Sequence, residues 1–177
     1  MNHWHDIPIG DKAPDEFNVI IEVPRYSTIK YTLDQELGLL RVSHGIYPPV
    51  PYPGNYGFIP QTLDDDGDPL GMMLVMRAPV SPLTLCRVRP IGVVNMSDEE
   101  QSDDKVLCVM LDDPVYAPYE RFDALPQYEQ EELRWFFKEY QRMMHAEVEV
   151  KEIEGVEYAR KVIKRCMEKY TEKYASE

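Results

Sequence analysis

Five prolines fall within the fifteen residues Ile46 to Pro60, IYPPVPYPGNYGFIP. Each proline fixes its own φ and removes an amide donor, which closes this stretch to a regular helix and to a central strand. It is expected to be an irregular, stiff loop, and the core must be assembled from the segments around it. Before the loop, FNVIIEV (Phe17 to Val23) is rich in β-branched residues. IKYTL (Ile29 to Leu33) alternates and leads through Gly38 into LGLLRV (Leu37 to Val42). After it, strands are expected over Met72 to Met76, Leu85 to Met96 and Lys105 to Leu111. Helical spacing appears only late. Leu133, Phe136, Phe137, Tyr140 and Met144 recur at three and four residues within Gln127 to Met144, with Pro126 at the first turn. Ala159, Val162, Ile163, Cys166 and Met167 form one face of a second helix, Val156 to Tyr170. Many short strands followed by two helices predict an α+β fold, a small antiparallel barrel with the helices packed on it. No repeat or low-complexity linker divides residues 1–177, so a single domain is expected.

Charge narrows the function classes. Acidic residues outnumber basic ones 32 to 19, a formal charge of −13. A field of that sign disfavours nucleic acid and anionic membrane surfaces and suits cations. The longest apolar run, Leu70 to Met76, is far too short to span a bilayer. MNHWHDIPIGDK has neither a basic start nor a long apolar run, so no secretory signal is expected. Cys86, Cys108 and Cys166 have no CxxC spacing and stand in apolar surroundings, the pattern of buried free thiols in a reducing cytoplasm.

Residues 64–68 read DDDGD, four carboxylates in five positions. Crowded carboxylates raise one another's pKa, and a hard divalent cation relieves them with oxygen ligation. Gly67 permits a sharp turn and Pro69 stiffens the exit. The glutamate that closes an EF-hand loop does not follow. Taken alone, such a run is an exposed acidic turn. A second run, SDEEQSDDK (Ser97 to Lys105), also joins two expected strands, and two such loops converging would form a polynuclear Mg²⁺ site able to activate water. Tyr52, Asn55 and Tyr56 offer polar groups on the proline frame or simply pack at the barrel mouth, and Lys30 and Lys105 are either surface charges or phosphate holders. His3 and His5 read as a packed or disordered N-terminal arm, Asp112 and Asp113 as a turn, and His145 as a helix-end or interface residue. Lys161, Lys164, Arg165 and Lys169 read as a solvated basic face of the last helix.

In order and spacing, VIIEVP, IKY, YPGNYGFIPQT, DDDGDP, RPIGVVNMSDEEQSDDK and FFKEY resemble the soluble family I inorganic pyrophosphatases over nearly the whole chain. The resemblance implies a five-stranded OB-like barrel with flanking helices, a cytoplasmic homohexamer, and Mg²⁺-dependent hydrolysis of pyrophosphate to two phosphates. By position it implies Asp66, Asp98 and Asp103 as metal ligands and Asp68 as the residue that orients or deprotonates water. Lys30, Tyr56, Lys105 and Tyr140 would hold phosphate, with Glu22 and Tyr52 in support.

Four positions depart from the family pattern: Thr32 stands for a glutamate, His44 for an arginine, Gly71 for an aspartate and Gln141 for a lysine. Two acids and two bases are lost together, so the formal charge of the site barely changes with His44 neutral. Asp64 and Asp65 are the neighbours able to replace the carboxylate missing at Gly71. The departures leave open a retuned pyrophosphatase, a hydrolase of another phosphoanhydride, and a non-catalytic binder of phosphate or metal.

Overall fold

The structure, a computed structural model, describes residues 1–45, 50–97, 101–144 and 149–174. The first strand, β1 (Phe17–Val23), is followed by β2 (Ile29–Asp34) and β3 (Leu39–Gly45), which pair with each other as a separate ribbon. The barrel strands are β1, β4 (Asn55–Phe58), β5 (Gly71–Leu74), β6 (Leu85–Ser97) and β7 (Lys105–Met110). They run in the order β1-β4-β5-β7-β6, and β6 returns to β1 to close the ring; β8 (Glu149–Glu154) adds to the far part of β6.

The barrel is mixed rather than wholly antiparallel, because β5 and β7 run parallel. The reason lies in the connections. The thirteen-residue β6 crosses away from β5 and pairs with β1 at one end. β7 then pairs antiparallel with β6, which brings it alongside β5 in the same direction.

β4 corrects the expectation that Ile46–Pro60 holds no central strand. Its four residues, NYGF, lie between Pro53 and Pro60, so no proline interrupts the ladders to β1 and β5. Gly57 explains how close that pairing is: a Cβ there would lie 1.9 Å from the carbonyl oxygen of Ile20 on β1.

Two helices cover the barrel. Met72 and Leu74 of β5 and Val106 and Cys108 of β7 join Ala159, Val162, Ile163 and Cys166 of α2 (Val156–Tyr174) in one buried cluster. The alternate residues Met73, Leu107 and Val109 join Leu133, Phe136 and Phe137 of α1 (Gln127–Met144) in another. Both faces of these strands are therefore buried, and their sequences read as unbroken apolar runs. α2 runs one turn beyond Tyr170, because Tyr170 and Tyr174 pack against Trp4 and His5 of the N-terminal arm. The arm is packed: the Trp4 indole donates to the Thr62 carbonyl at 2.7 Å, and His5 Nδ1 lies 2.7 Å from the Tyr170 hydroxyl. The three cysteines are buried and unpaired. Among the described residues, no helix is long and apolar enough to cross a membrane.

Candidate active site

Four neighbouring barrel strands carry the framework of one cavity. Glu22 comes from β1, Tyr56 from β4, Gly71 from β5 and Lys105 from β7, and all four line the same space of about 210 Å³. The parallel seam makes Gly71 and Lys105 direct register partners. β2 adds Lys30 and Thr32, α1 adds Tyr140 over Phe136 and Phe137, and the proline frame adds Tyr52. The two acidic loops complete the lining with Asp66, Asp68 and Asp103.

Nine of the residues expected to form the site thus meet in one place. Asp98 and His145 lie outside the described residues, as do the side chains of His44 and Gln141.

The first loop is shaped by its own backbone. Asp68 N–H donates to Asp66 Oδ1 at 3.0 Å, Asp64 N–H to the Asp68 carbonyl at 2.8 Å, and Gly67 takes φ 90°, a left-handed value that costs a glycine little. This turn aims Asp66 and Asp68 at the cavity. Burial, and then the charge of Asp66, pushes the Asp68 carboxyl above the usual carboxylate range.

Lysine and tyrosine occupy the floor. Lys105 is mostly buried and ion-paired with Asp103. Burial alone would favour its neutral amine, but the Tyr56 phenol and the Asp103 and Asp66 carboxylates outweigh that and hold its pKa above the ordinary lysine value. Lys30, half-buried, is likewise held above the ordinary value: burial opposes its charge, while Tyr56 and Tyr140 favour it. Burial raises the phenols of Tyr52 and Tyr56, so both are hydrogen-bond donors at neutral pH. Tyr52 stacks obliquely on Phe136, with ring centroids 4.8 Å apart, and holds the proline frame against α1. Glu22 Oε1 accepts the Leu33 N–H at 2.7 Å, which pins β2 to β1, and burial pushes its pKa up to about 7.

Gly71 has a visible reason. A Cβ on it would lie 2.7 Å from the Tyr56 hydroxyl, 2.8 Å from Lys105 Cδ and 3.1 Å from Lys105 Nζ. The room a side chain would fill is taken by the lysine stem and the phenol.

Asp64 and Asp65 do not replace the missing carboxylate. Asp64 is buried against α2, with Arg165 Nη2 at 3.7 Å, and Asp65 is paired with Lys169. The basic face of α2 is therefore not wholly solvated. Sequence reasoning missed Arg165, Lys169, Ser102 and Asp104 as partners of the loops. The signal available was the four-residue spacing of Arg165 and Lys169 on one helical face, together with strand-like alternation, which sends Asp103 and Lys105 one way and Asp104 the other.

The site's chemistry is that of an anion cradle beside a set of hard oxygen donors. Two ammonium groups, Lys30 and Lys105, and the phenols of Tyr56 and Tyr140 are donors able to hold anionic oxygens, and three carboxylates stand next to them. Among the described residues, no three acidic or imidazole groups already close a metal cage. The donor set is nevertheless all oxygen, and Asp68, raised first by burial and then by the charge of Asp66, stands beside like charge that a dication would relieve.

Comparison with known proteins agrees with this chemistry. Residues 19–171 match the family model described as inorganic pyrophosphatase. The chain is 42% identical over 171 residues to soluble inorganic pyrophosphatase 2 of Chlamydomonas reinhardtii, covering 97% of this chain and 89% of that one. It is 40% identical over 169 residues to soluble inorganic pyrophosphatase 1 of Arabidopsis thaliana, covering 96% and 80%. Among solved structures, the inorganic pyrophosphatase of Thermus thermophilus superposes with a TM-score of 0.89 at 32% identity, covering 97% of this chain and 99% of that one.

Proposed function

The chain belongs to the inorganic pyrophosphatase family, and we propose on that premise that it hydrolyses inorganic pyrophosphate to two phosphates in the cavity floored by Lys105. The convergence of Lys30, Lys105, Tyr56 and Tyr140 with Asp66, Asp68 and Asp103 on that one cavity carries the assignment. All 177 residues are taken as one catalytic domain.

Asp66 and Asp103, with Asp98, are the residues that would hold Mg²⁺. Bound there, the metal supplies neutralisation of phosphate charge and acidification of a coordinated water. The chain's own groups do the rest. Lys30 and Lys105 place fixed positive charge where the substrate's oxygens lie, and the Tyr56 and Tyr140 hydroxyls donate to them. Asp68 faces the same space with a carboxyl of raised pKa, which makes it a better proton acceptor than an ordinary aspartate and suits it to take the proton of the attacking water. Glu22 and Tyr52 hold the strands and the proline frame in place.

A cytoplasmic homohexamer is the assembly proposed on the family resemblance. Support for self-association comes from the β2–β3 ribbon, where the large apolar side chains of Leu37, Leu39 and Val42 are each mostly exposed.

The test is phosphate release from pyrophosphate and from nucleoside triphosphates, each with and without Mg²⁺. The proposal predicts Mg²⁺-dependent release from pyrophosphate in clear preference. Preference for a nucleotide would move the assignment to another phosphoanhydride. Release from neither by folded protein would make the chain a binder of phosphate or metal.

A further inference from the structure

Half of the acidic run at 64–68 does not face the cavity, and its partners point to a separate task. Asp65 Oδ2 accepts the backbone N–H of Ser102 at 3.1 Å, a bond between the two acidic loops. Asp65 Oδ1 is paired with the Lys169 ammonium of α2. On the second loop, Ser102 Oγ donates to Asp104 Oδ2 at 2.8 Å, and the Met96 N–H donates to Asp104 Oδ1 at 3.2 Å. Arg165 Nη2 lies 3.2 Å from Ser102 Oγ and 3.4 Å from Asp104 Oδ2. Asp104 is 1% exposed, so its charge is held entirely by these partners.

We propose that Asp65 is a positioning residue that joins the two acidic loops and so fixes the separation of Asp66 and Asp103. This rests on the reading of Asp66 and Asp103 as metal ligands. The bond joins the residues immediately before each ligand, Asp65 before Asp66 and Ser102 before Asp103. Asp104, immediately after Asp103, is anchored as well, so Asp103 is held from both sides. The brace answers a physical need, since carboxylates gathered on one cavity repel and would drive their loops apart in the absence of metal. Lys169 and Arg165 supply compensating charge from behind. They contact Asp64, Asp65 and Asp104, and so leave the oxygens of Asp66 free of α2.

The experiment is direct Mn²⁺ titration of the full chain by electron paramagnetic resonance and calorimetry, without substrate, alongside thermal melting and steady-state kinetics. Removal of a group that orients metal ligands commonly weakens binding by about 10–100-fold. Asp65→Ala is expected to fall in that range, with little change in the KM for pyrophosphate at saturating metal. Asp65→Asn, which keeps an acceptor for the Ser102 N–H but loses the charge facing Lys169, is expected to lie between it and the wild type. Should Asp65→Ala fail to fold, Lys169→Met gives the same reading with a smaller effect. Asp15→Ala, which removes an Arg160 ion pair elsewhere on α2, is expected to leave Mn²⁺ affinity unchanged. Wild-type Mn²⁺ affinity in Asp65→Ala and Lys169→Met, with only the melting temperature lowered, would reduce Asp65 to a structural residue and overturn the proposal. Asp103→Asn separates the two layers of the argument. If it loses Mn²⁺ while Asp65→Ala does not, positioning alone fails; if it binds Mn²⁺ as the wild type does, the ligand assignment beneath it fails too.

Discussion

At the scale of single residues, Gly71 and Lys105 act as one unit. The lysine reaches its place between Tyr56 and Asp103 because its register partner on β5 has no side chain. Gly71→Asp is expected to draw the ammonium away from Asp103 and to add an oxygen ligand. Metal affinity should rise by about tenfold, a change of about 1.4 kcal/mol. Gly71→Ala moves the lysine without adding a ligand, so it should raise the KM for pyrophosphate and leave metal affinity near wild type. Titrations of both variants with Mn²⁺ and pyrophosphate check this. Glu22 gives a separate prediction. Its carboxyl is raised by burial from 4.5 to about 7, so the folded protein holds a proton there that the unfolded chain has released. Its favourable contribution is whole below pH 4.5 and is lost as pH rises through 7. In metal-free protein the loss is on the order of 3 kcal/mol at most. Glu22→Gln keeps an acceptor for the Leu33 N–H and should show no such loss. Urea midpoints of the two proteins at pH 5 and pH 8 measure the difference.

At the scale of elements, what was legible depended on how far a pattern repeats. The stripe of α1, the stripe of α2 and the alternation or apolar density of β1, β5, β6 and β7 are each several residues long and survive as elements, with β5 ending at Leu74 rather than Met76. β4 was hidden because proline density is a regional signal, while a strand needs only four residues free of proline. β8, EVKEIE, carries few apolar residues and is recruited by pairing with β6, which no local pattern announces. The parallel seam was likewise invisible, since register belongs to pairs of strands and not to either alone. β4 also yields a prediction. Gly57→Ala drives a methyl into the Ile20 carbonyl, where backbone on both sides must move, so destabilisation of about 3 kcal/mol or more is expected in chemical denaturation.

At the scale of the whole molecule, a formal charge of −13 said only that cations are welcome and polyanions are not. It said nothing of where two lysines would be gathered on one cavity. That placement comes from closing the barrel, which sets Lys105 beside Gly71 and brings Lys30 over from the ribbon. The functional motifs could be read one at a time, and their order and spacing identified the family. The split of the acidic run into Asp66 and Asp68 facing the cavity and Asp64 and Asp65 facing α2 needed three dimensions. Metal that binds only the folded state should also stabilise the whole chain. Mg²⁺ at about 100 times its dissociation constant is expected to add about 2.7 kcal/mol, or roughly 5–10 °C in melting temperature. An unchanged melting curve over the same titration would count against a site built from these loops.

The central claim is that carboxylates from both acidic loops gather on shared metal beside the lysine–tyrosine floor. Anomalous diffraction from crystals soaked with Mn²⁺ and phosphate tests it most directly. The account predicts a Mn²⁺ peak about 2.2 Å from carboxylate oxygens of both Asp66 and Asp103, with phosphate against Lys105 and Tyr56. A peak confined to another acidic turn, such as Asp112 and Asp113, with the cavity free of metal and phosphate, would contradict it.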